Sequence, residues 1–257
     1  MNILAIGDVV GSNGCEFLRS KLPNLKKLKS IDLVIANGEN SADGNGITKS
    51  SAEYLFKSGV DVITTGNHAF RRREIYPVFD EDNNLIRPAN FPESTTPGKG
   101  YSIIDMGKMQ VCVINLMGVV YMESLNCPFS TADDIINKFK DIPIKIVDFH
   151  AEATAEKRAL GFYLDGKISA LFGTHTHVPT ADETILPNGT GYITDVGMTG
   201  TINSVLGVSP NSAIKKMKGK IPVRFEFLGG PKKMDAILFN INEISGKTVN
   251  IERLTIT

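Results

Sequence analysis

The chain has 257 residues, of which 42% are hydrophobic, and its 28 basic residues balance its 28 acidic residues. This length is enough for one large α/β domain or two small ones, and it can bury a substantial core. A net charge of zero excludes a global attraction for nucleic acid or an anionic membrane, although local basic patches remain compatible with it.

The three cysteines, Cys15, Cys112 and Cys127, are odd in number and far apart in sequence. This pattern argues against a disulfide framework or a zinc ribbon, and it predicts small buried thiols in a reducing cytoplasm. The N-terminal run NILAIGD is strand-like and lacks signal-peptide features, and no segment reaches the roughly 20 apolar residues that cross a bilayer. We therefore expect a cytoplasmic protein that makes no membrane contact.

Short apolar strands alternate with amphipathic helices in the first part of the chain. The predicted strands are NILAIGD, DLVIANGE (32–39) and VDVITTGN (60–67), and the predicted helices are CEFLRSKLPNLKKLK and ITKSSAEYLFKSG. Because these strands are apolar throughout and are separated by helices, they predict a mostly parallel, buried sheet. A surface loop rich in proline and glycine is expected over residues 87–100.

The rest of the chain adds more strands and changes character towards its end. Strands are predicted near 101–105, 109–116, 144–149 and 168–172, with a helix over 151–164. The last third contains ETILP, TGYITDV, PVRFEF, KMDAILFNI and KTVNIERLTI, and these segments follow one another as antiparallel strands would. The pattern predicts a mixed α/β sandwich, in which two sheets can be accommodated.

All four histidines of the chain follow an apolar strand. His68 ends VDVITTGNH, His150 ends IKIVDFH, and His175 and His177 follow ISALFG within GTHTHVPTAD (173–182). Ligand sites of α/β sheets lie outside the carboxyl ends of the parallel strands. Residues two apart in an extended backbone face the same side, so we expect the imidazoles of His175 and His177 to point together. Because neutral imidazole is a common metal ligand, this placement indicates a metal site.

Acid and amide residues end the same strands. Asp8 ends the first strand, Glu39 and Asn40 end the second, and Asn67 ends the third, directly before His68. A pair of divalent cations needs carboxylates to offset its charge, and the two oxygens of Glu39 can bridge two ions. The sequence therefore predicts mixed nitrogen and oxygen donors at one edge of the sheet.

These residues resemble the motif series of the calcineurin-like metallophosphoesterases. GDVVG (7–11), NGEN (37–40), GNH (66–68), His150 and GTHTH (173–177) occur in the order of that superfamily's motifs. The longer segments GDVVGSNG, NGENSADGNGIT, TTGNHAF, DFHAEATAEK, GTHTHVPTAD and TDVGMTG resemble its YmdB-like branch, and this likeness covers nearly the whole chain. The resemblance implies a single domain over residues 1–257, folded as a four-layer α-β-β-α sandwich of two mixed sheets with flanking helices.

The resemblance also implies two metal ions that share Glu39. The first ion would be held by Asp8, Glu39, Asn40 and His177, and the second by Glu39, Asn67, His150 and His175. His68 would bind no metal and would face the substrate. Iron or manganese is implied, and a donor set without cysteine is also compatible with zinc or cobalt.

Three positions depart from the broad superfamily pattern. Its first motif usually has a histidine two residues after the aspartate, where this sequence has Val10. A carboxylate often follows the histidine of the third motif, where this sequence has Ala69, so the group that orients His68 is not its neighbour. Glu39 stands where aspartate is commoner. These departures leave open the identity of the metal, the affinity of the first site and the group that orients His68.

The activity implied by the resemblance is hydrolysis of 2′,3′-cyclic nucleotides, free or at an RNA end. A metal-bridging hydroxide would attack phosphorus, and His68 would protonate the leaving ribose oxygen to give a 3′-phosphate. A phosphomonoesterase or a nuclease would share the same metal centre. A metal-binding regulatory protein without catalysis is the alternative of a different class.

Several further residues near these motifs have two interpretations each. The carboxylates that could orient the imidazoles, or merely cap turns, are Asp148, Asp182 and Asp195. Thr174 and Thr176 are expected only to shape the loop. The run FRRRE (70–74) could steer a phosphate or be the solvated start of a helix. The lysines of 215–220 are expected to be surface residues, and a homo-oligomer remains an open alternative.

Overall fold

The computed structural model describes residues 1–226 and 229–257. Its strands are β1 (Asn2–Ile6), β2 (Asp8–Val9), β3 (Leu33–Asn37), β4 (Val62–Thr64), β5 (Tyr101–Asp105), β6 (Gln110–Met117), β7 (Ile144–His150), β8 (Ala170–Thr174), β9 (Thr184–Ile185), β10 (Gly191–Ile193), β11 (Met198–Thr201), β12 (Lys232–Ile241) and β13 (Thr248–Ile256). Its helices are α1 (Gly11–Leu28), α2 (Lys49–Lys57), α3 (Tyr76–Glu81), α4 (Pro128–Lys138), α5 (Thr154–Leu164) and α6 (Pro210–Gly219), with a 3-10 turn at Arg73–Ile75. Within the described ranges, none of these helices combines the length and the apolar character that a bilayer crossing requires.

The strands form two mixed sheets. In the first sheet, β3 pairs in parallel with β1 and β4, whereas β12 pairs antiparallel with β1, β11 and β13. The second sheet has the order β5-β6-β7-β8-β10-β9, with parallel pairing from β6 to β10 and an antiparallel strand at each edge. Parallel pairing aligns the carboxyl ends of neighbouring strands, and this creates a shared edge for polar side chains.

Apolar side chains form three layers because successive residues of a strand point to opposite faces of its sheet. Ile3 and Ala5 of β1 lie in the core between the sheets, with side chains from β6, β7 and β8. Leu4 and Ile6 of the same strand lie in a second core with α1 and α2. The outer face of β7 packs against α4 and α5 in a third core. The four-layer α-β-β-α sandwich expected from the resemblance is therefore confirmed.

The predicted C-terminal strands are confirmed in part. ETILP, TGYITDV, KMDAILFNI and KTVNIERLTI contain β9, β10, β12 and β13. A wholly antiparallel arrangement was wrong, since β10 pairs in parallel with β8; the chain reverses at β9 before β10 begins. PVRFEF has no strand over 222–226, and Phe227 lies outside the described residues. Helix α6 was not predicted, because its apolar residues Ile214 and Met217 are exposed and give no core-facing pattern.

The cysteines differ in exposure, and this makes their reactivity testable. Cys15 and Cys112 are buried, as expected, but Cys127 is exposed, so the expectation of burial was wrong for that residue. Burial raises the pKa of the Cys15 and Cys112 thiols to about 12. Cys127 precedes α4, where the backbone amide of Ser130 lowers the pKa of its thiol.

Iodoacetamide near neutral pH is expected to alkylate Cys127 in the native protein and to spare Cys15 and Cys112 until the protein is denatured. Peptide mass spectrometry reports the three sites separately, and a Cys127→Ser variant should remain unlabelled in the native state. Rapid native labelling of Cys15 would contradict its buried position.

Candidate metal centre

Side chains from both sheets converge near the carboxyl ends of their parallel strands. Glu39, His150 and His175 each place one donor atom within 4.8 Å of the others. His175 Nδ1 lies 3.0 Å from His150 Nε2, and Glu39 Oε1 lies 3.4 Å from the same nitrogen. Asn67 Oδ1 lies 2.9 Å from it as well. The structure therefore brings together all four residues that the sequence predicts for the second ion.

A second group lies beside the first and shares Glu39 with it. His177 Nε2 lies 3.5 Å from Asp8 Oδ1 and 3.3 Å from Asn40 Nδ2. Asn40 Nδ2 also donates to Glu39 Oε1 at 3.1 Å. The residues predicted for the first ion are thus neighbours, with Glu39 between the two groups.

The Asp8 carboxylate has an unusual environment. It is fully buried, and its Oδ1 is one of the buried atoms that lack a hydrogen-bond partner among the described residues. A buried oxygen without a partner costs about 1–3 kcal/mol, and a charged one costs more. A cation at this position would remove that cost. This oxygen, together with mixed nitrogen and oxygen donors free of cysteine, fits a transition-metal centre.

The ionisable side chains of the centre shift one another's pKa values. Burial alone would raise the pKa of Glu39, but His150 and His68 hold that pKa well below its usual value. Burial opposes protonation of His150, yet the carboxylates of Glu39 and Asp8 raise its pKa to about 9. Burial and the neighbouring His150 lower the pKa of His175 to about 4. Asp8 also raises the pKa of His177 against the opposing effect of burial. Without metal, the carboxylates therefore favour protonation of His150 and His177, and bound cations would compete with those protons.

The segment GTHTH (173–177), here called the histidine loop, directs its two imidazoles to different donor groups. Strand β8 ends at Thr174, and His175 and His177 then adopt φ angles of 102° and 63°. Such angles cost on the order of 1–3 kcal/mol for a residue with a side chain. The extended geometry from which a common direction was expected stops before His175, so that reason was wrong, although both rings reach the centre. His175 contacts His150, whereas His177 contacts Asp8, so each ring serves a different group.

His68 lies at the rim of the centre, where its side chain is 25% exposed. Its backbone N–H donates to Glu39 Oε2 at 2.8 Å. Its Nδ1 lies 3.0 Å from Asn40 Oδ1 and 3.1 Å from Glu39 Oε1. Asn40 and Glu39 therefore orient the ring that Ala69 cannot orient. Nε2 is left on the outer side, with a long contact of 3.5 Å to Asn45 Nδ2.

Asp148 acts on the centre through a threonine. Its Oδ1 accepts a hydrogen bond of 2.7 Å from Thr174 Oγ1, which in turn lies 2.9 Å from His150 Nδ1. Burial raises the pKa of Asp148 to about 7. Asp148 therefore acts on the His150 imidazole through Thr174, which agrees with the orienting interpretation and not with a turn cap. The expectation that Thr174 only shapes the loop was wrong. Asp182 bonds to Thr180 and Thr194 instead of a ring.

Two other residues take roles that the sequence did not reveal. Glu152 Oε2 lies 3.0 Å from His175 Nε2, which leaves Nδ1 of that ring for the metal group. Its position two residues after His150 was the available signal. Arg72 donates to the carbonyls of Asp43 and Asn45, at 2.9 and 3.1 Å. These bonds hold the segment DGNG (43–46) in place, and they give no support to a phosphate-steering role for Arg72.

A two-sheet sandwich with such a centre at its strand ends defines the class of calcineurin-like metallophosphoesterases. More narrowly, the chain belongs to the YmdB-like protein family, whose model matches residues 4–254. The chain is similar to a 2′,3′-cyclic-nucleotide 2′-phosphodiesterase of Bacillus subtilis (strain 168), with 46% identity over 257 residues that cover 100% of this chain and 97% of that relative.

Two solved structures share the fold over the whole of this chain. A hypothetical protein from Thermus thermophilus superposes with a TM-score of 0.93 at 39% identity, covering 100% of this chain and 99% of that one. A structure described as a novel phosphatase from Mycoplasma pneumoniae also superposes with a TM-score of 0.93, at 34% identity, covering 100% of this chain and 93% of that one.

Proposed function

We propose that this protein is a metal-dependent phosphodiesterase that hydrolyses 2′,3′-cyclic nucleotides and leaves a 3′-phosphate. The observation that carries the proposal is the pair of donor groups that meet at Glu39, one of which contains Asp8 Oδ1, a buried oxygen without a hydrogen bond among the described residues. The substrate class is supported by the activity in the name of the Bacillus subtilis relative, which is 46% identical over the full chain. Loss of the 2′ ester bond named there would leave the phosphate on the 3′ oxygen.

Two transition-metal ions fit the donor set, iron or manganese foremost, with zinc or cobalt as alternatives. The first would be held by Asp8, Glu39, Asn40 and His177, and the second by Glu39, Asn67, His150 and His175. When bound, such ions polarise a phosphoryl group and lower the pKa of water near it. Glu39 is the natural bridge because its carboxylate contacts members of both groups.

His68 is proposed to donate the proton that the leaving 2′ oxygen requires. Its Nδ1 faces two acceptor oxygens, Asn40 Oδ1 and Glu39 Oε1, and therefore carries a hydrogen. Nε2 then carries a hydrogen only in the imidazolium form. The general acid is thus protonated His68, with Nε2 turned to the outer side of the centre.

The test of this proposal is metal content by elemental analysis together with turnover on a panel of phosphoesters by the same sample. The panel is 2′,3′-cyclic AMP, 3′,5′-cyclic AMP, 4-nitrophenyl phosphate and an RNA oligomer with a 2′,3′-cyclic phosphate end. We expect two ions per chain, and turnover of the 2′,3′-cyclic phosphates with a 3′-phosphate product.

Other outcomes of the panel separate the alternatives. Preference for the monoester would indicate a phosphomonoesterase, and internal cleavage of the RNA would indicate a nuclease. Two bound ions without turnover of any phosphoester would indicate a regulatory protein. Failure to bind metal after anaerobic reconstitution with iron or manganese would contradict the centre itself.

We further propose that the protein acts in the cytoplasm on a small nucleotide or an RNA end. The three cysteines are free, which suits a reducing compartment. Assembly into a homo-oligomer stays a prediction, and sedimentation of the purified protein would test it.

A further inference from the structure

A lysine and an aspartate form an ion pair inside the protein, behind the histidine loop. Lys157 of α5 is 0% exposed and Asp195, which follows β10, is 1% exposed. Lys157 Nζ lies 2.7 Å from Asp195 Oδ2. Both residues belong to segments quoted for the family resemblance, DFHAEATAEK and TDVGMTG, but the proposed chemistry uses neither of them.

The pair forms hydrogen bonds with the backbone on both sides of His175. Lys157 Nζ donates to the Thr174 carbonyl at 2.8 Å, and Asp195 Oδ2 accepts from the Thr176 N–H at 3.1 Å. His175 is the residue between these two groups, and it holds a φ of 102°. Neither charged group touches the imidazole, so the pair acts on the ring only through the main chain.

Asp195 is also linked by hydrogen bonds to the donor group that contains Asp8. Its second oxygen, Oδ1, accepts from the Gly197 N–H at 2.9 Å. The Gly197 carbonyl accepts from the Asp8 N–H at 3.1 Å. Asp8 Oδ2 accepts from the His175 N–H at 3.1 Å. One carboxylate therefore connects the backbone of His175 with that of Asp8.

Close packing leaves the pair little freedom. Gly173 lies where a Cβ would approach the Thr194 carbonyl to 1.8 Å and Lys157 Cδ to 2.9 Å. The glycine of GTHTH thus allows the lysine stem and the end of β10 to approach β8 closely. The loop beyond is fixed as well, since Asp195 accepts through its own carbonyl from the Thr180 N–H at 3.0 Å.

Stability alone is a poor reason for this arrangement. Replacing a buried ion pair with apolar residues of similar volume is often neutral or stabilising, because desolvation offsets the attraction. An apolar replacement would lose the hydrogen bonds that fix the position of the neighbouring backbone groups. Here those groups are the main-chain atoms flanking a residue in a strained conformation, next to the candidate metal donors.

We propose that the Lys157–Asp195 ion pair is a positioning device that holds His175 and Asp8 at the separation their metal ions require. This inference rests on the proposed metal centre. It assigns to Lys157 and Asp195 no contact with metal or substrate. Their effect on metal affinity is transmitted by the bonds to Thr174, Thr176 and Gly197.

The test compares Mn²⁺ affinity in Asp195→Asn, Lys157→Met and the double variant Lys157→Met/Asp195→Asn. The double variant leaves no unpaired buried charge, and asparagine has only one side-chain oxygen for the two amides of Thr176 and Gly197. In the double variant, we expect the affinity for Mn²⁺ to fall by about 10- to 100-fold, the range seen when groups that orient metal ligands are lost. Excess Mn²⁺ should restore kcat without a change in KM for 2′,3′-cyclic AMP.

Lys145→Met is the matched control. Lys145 is also a buried lysine, and its Nζ donates to the Ile142 carbonyl at the end of β7 opposite His150. This variant should lose thermal stability but keep the Mn²⁺ affinity of the wild-type protein. A folded double variant that binds Mn²⁺ as tightly as wild type would overturn the proposal.

Hydrogen exchange on the wild-type protein gives a second readout that needs no variant. The Thr176 amide should be protected to the level of the β8 amides in metal-free protein, because Asp195 holds it. Exchange at the rate of an open loop would also overturn the proposal. Wild-type protein that binds no Mn²⁺ would instead contradict the metal centre on which this inference rests.

Discussion

Replacement of His68 with alanine is expected to lower kcat on 2′,3′-cyclic AMP by about 10²- to 10⁴-fold, the usual contribution of a general acid. Both metal ions should remain bound. The ring of His68 is not among the proposed ligands, and the hydrogen bond from His68 to Glu39 Oε2 comes from the backbone N–H, which alanine retains. The loss should therefore fall on the chemical step.

The choice of leaving group makes this experiment specific. Bis(4-nitrophenyl) phosphate releases a phenolate that needs no proton, so the His68→Ala variant should lose far less activity on it than on the cyclic nucleotide. Elemental analysis of the same sample checks the metals. An equal loss on both substrates, or a loss of metal, would show that His68 supports the centre instead of donating a proton.

Parallel strands explain why most of the centre could be predicted. Asp8, Glu39 and Asn67 closely follow β1, β3 and β4, whose carboxyl ends lie along one edge of the first sheet, so their proximity follows from the parallel pairing. His150 ends β7 of the second sheet, and its approach to them depends on how the two sheets pack. The continuous apolar runs of β1, β3 and β4 likewise predicted a buried sheet. Neither inference needs knowledge of any loop.

The features that the sequence did not predict depend on loop conformations and on contacts between distant segments. Positive φ at His175 and His177 cannot be read from a histidine pair, because extended geometry is the usual expectation for residues of this type. Lys157 and Asp195 are separated by 38 positions and follow no common period. The parallel pairing of β10 was missed for a similar reason, since it depends on how the chain turns between β9 and β10. Helix α6 was missed because its exposed apolar residues give no core-facing pattern.

Replacement of Glu39 with glutamine is expected to remove both ions, whereas His177→Ala should remove one. Glu39 is buried and contacts both donor groups, through His150 on one side and Asn40 on the other. Glutamine keeps the volume but loses the charge that offsets two cations. His177 contacts only the group of Asp8 and Asn40, so its loss leaves the donors of the second ion in place.

Elemental analysis after dialysis gives the stoichiometry of each variant, and Glu152→Gln is the control. Glu152 is an exposed carboxylate that contacts the outer nitrogen of His175 and is not a proposed ligand, so this variant should keep two ions. Retention of one ion by Glu39→Gln would show that Glu39 belongs to a single site. The two groups would then be independent, and the shared carboxylate would no longer explain why Asp8 and His150, on different sheets, must be held together.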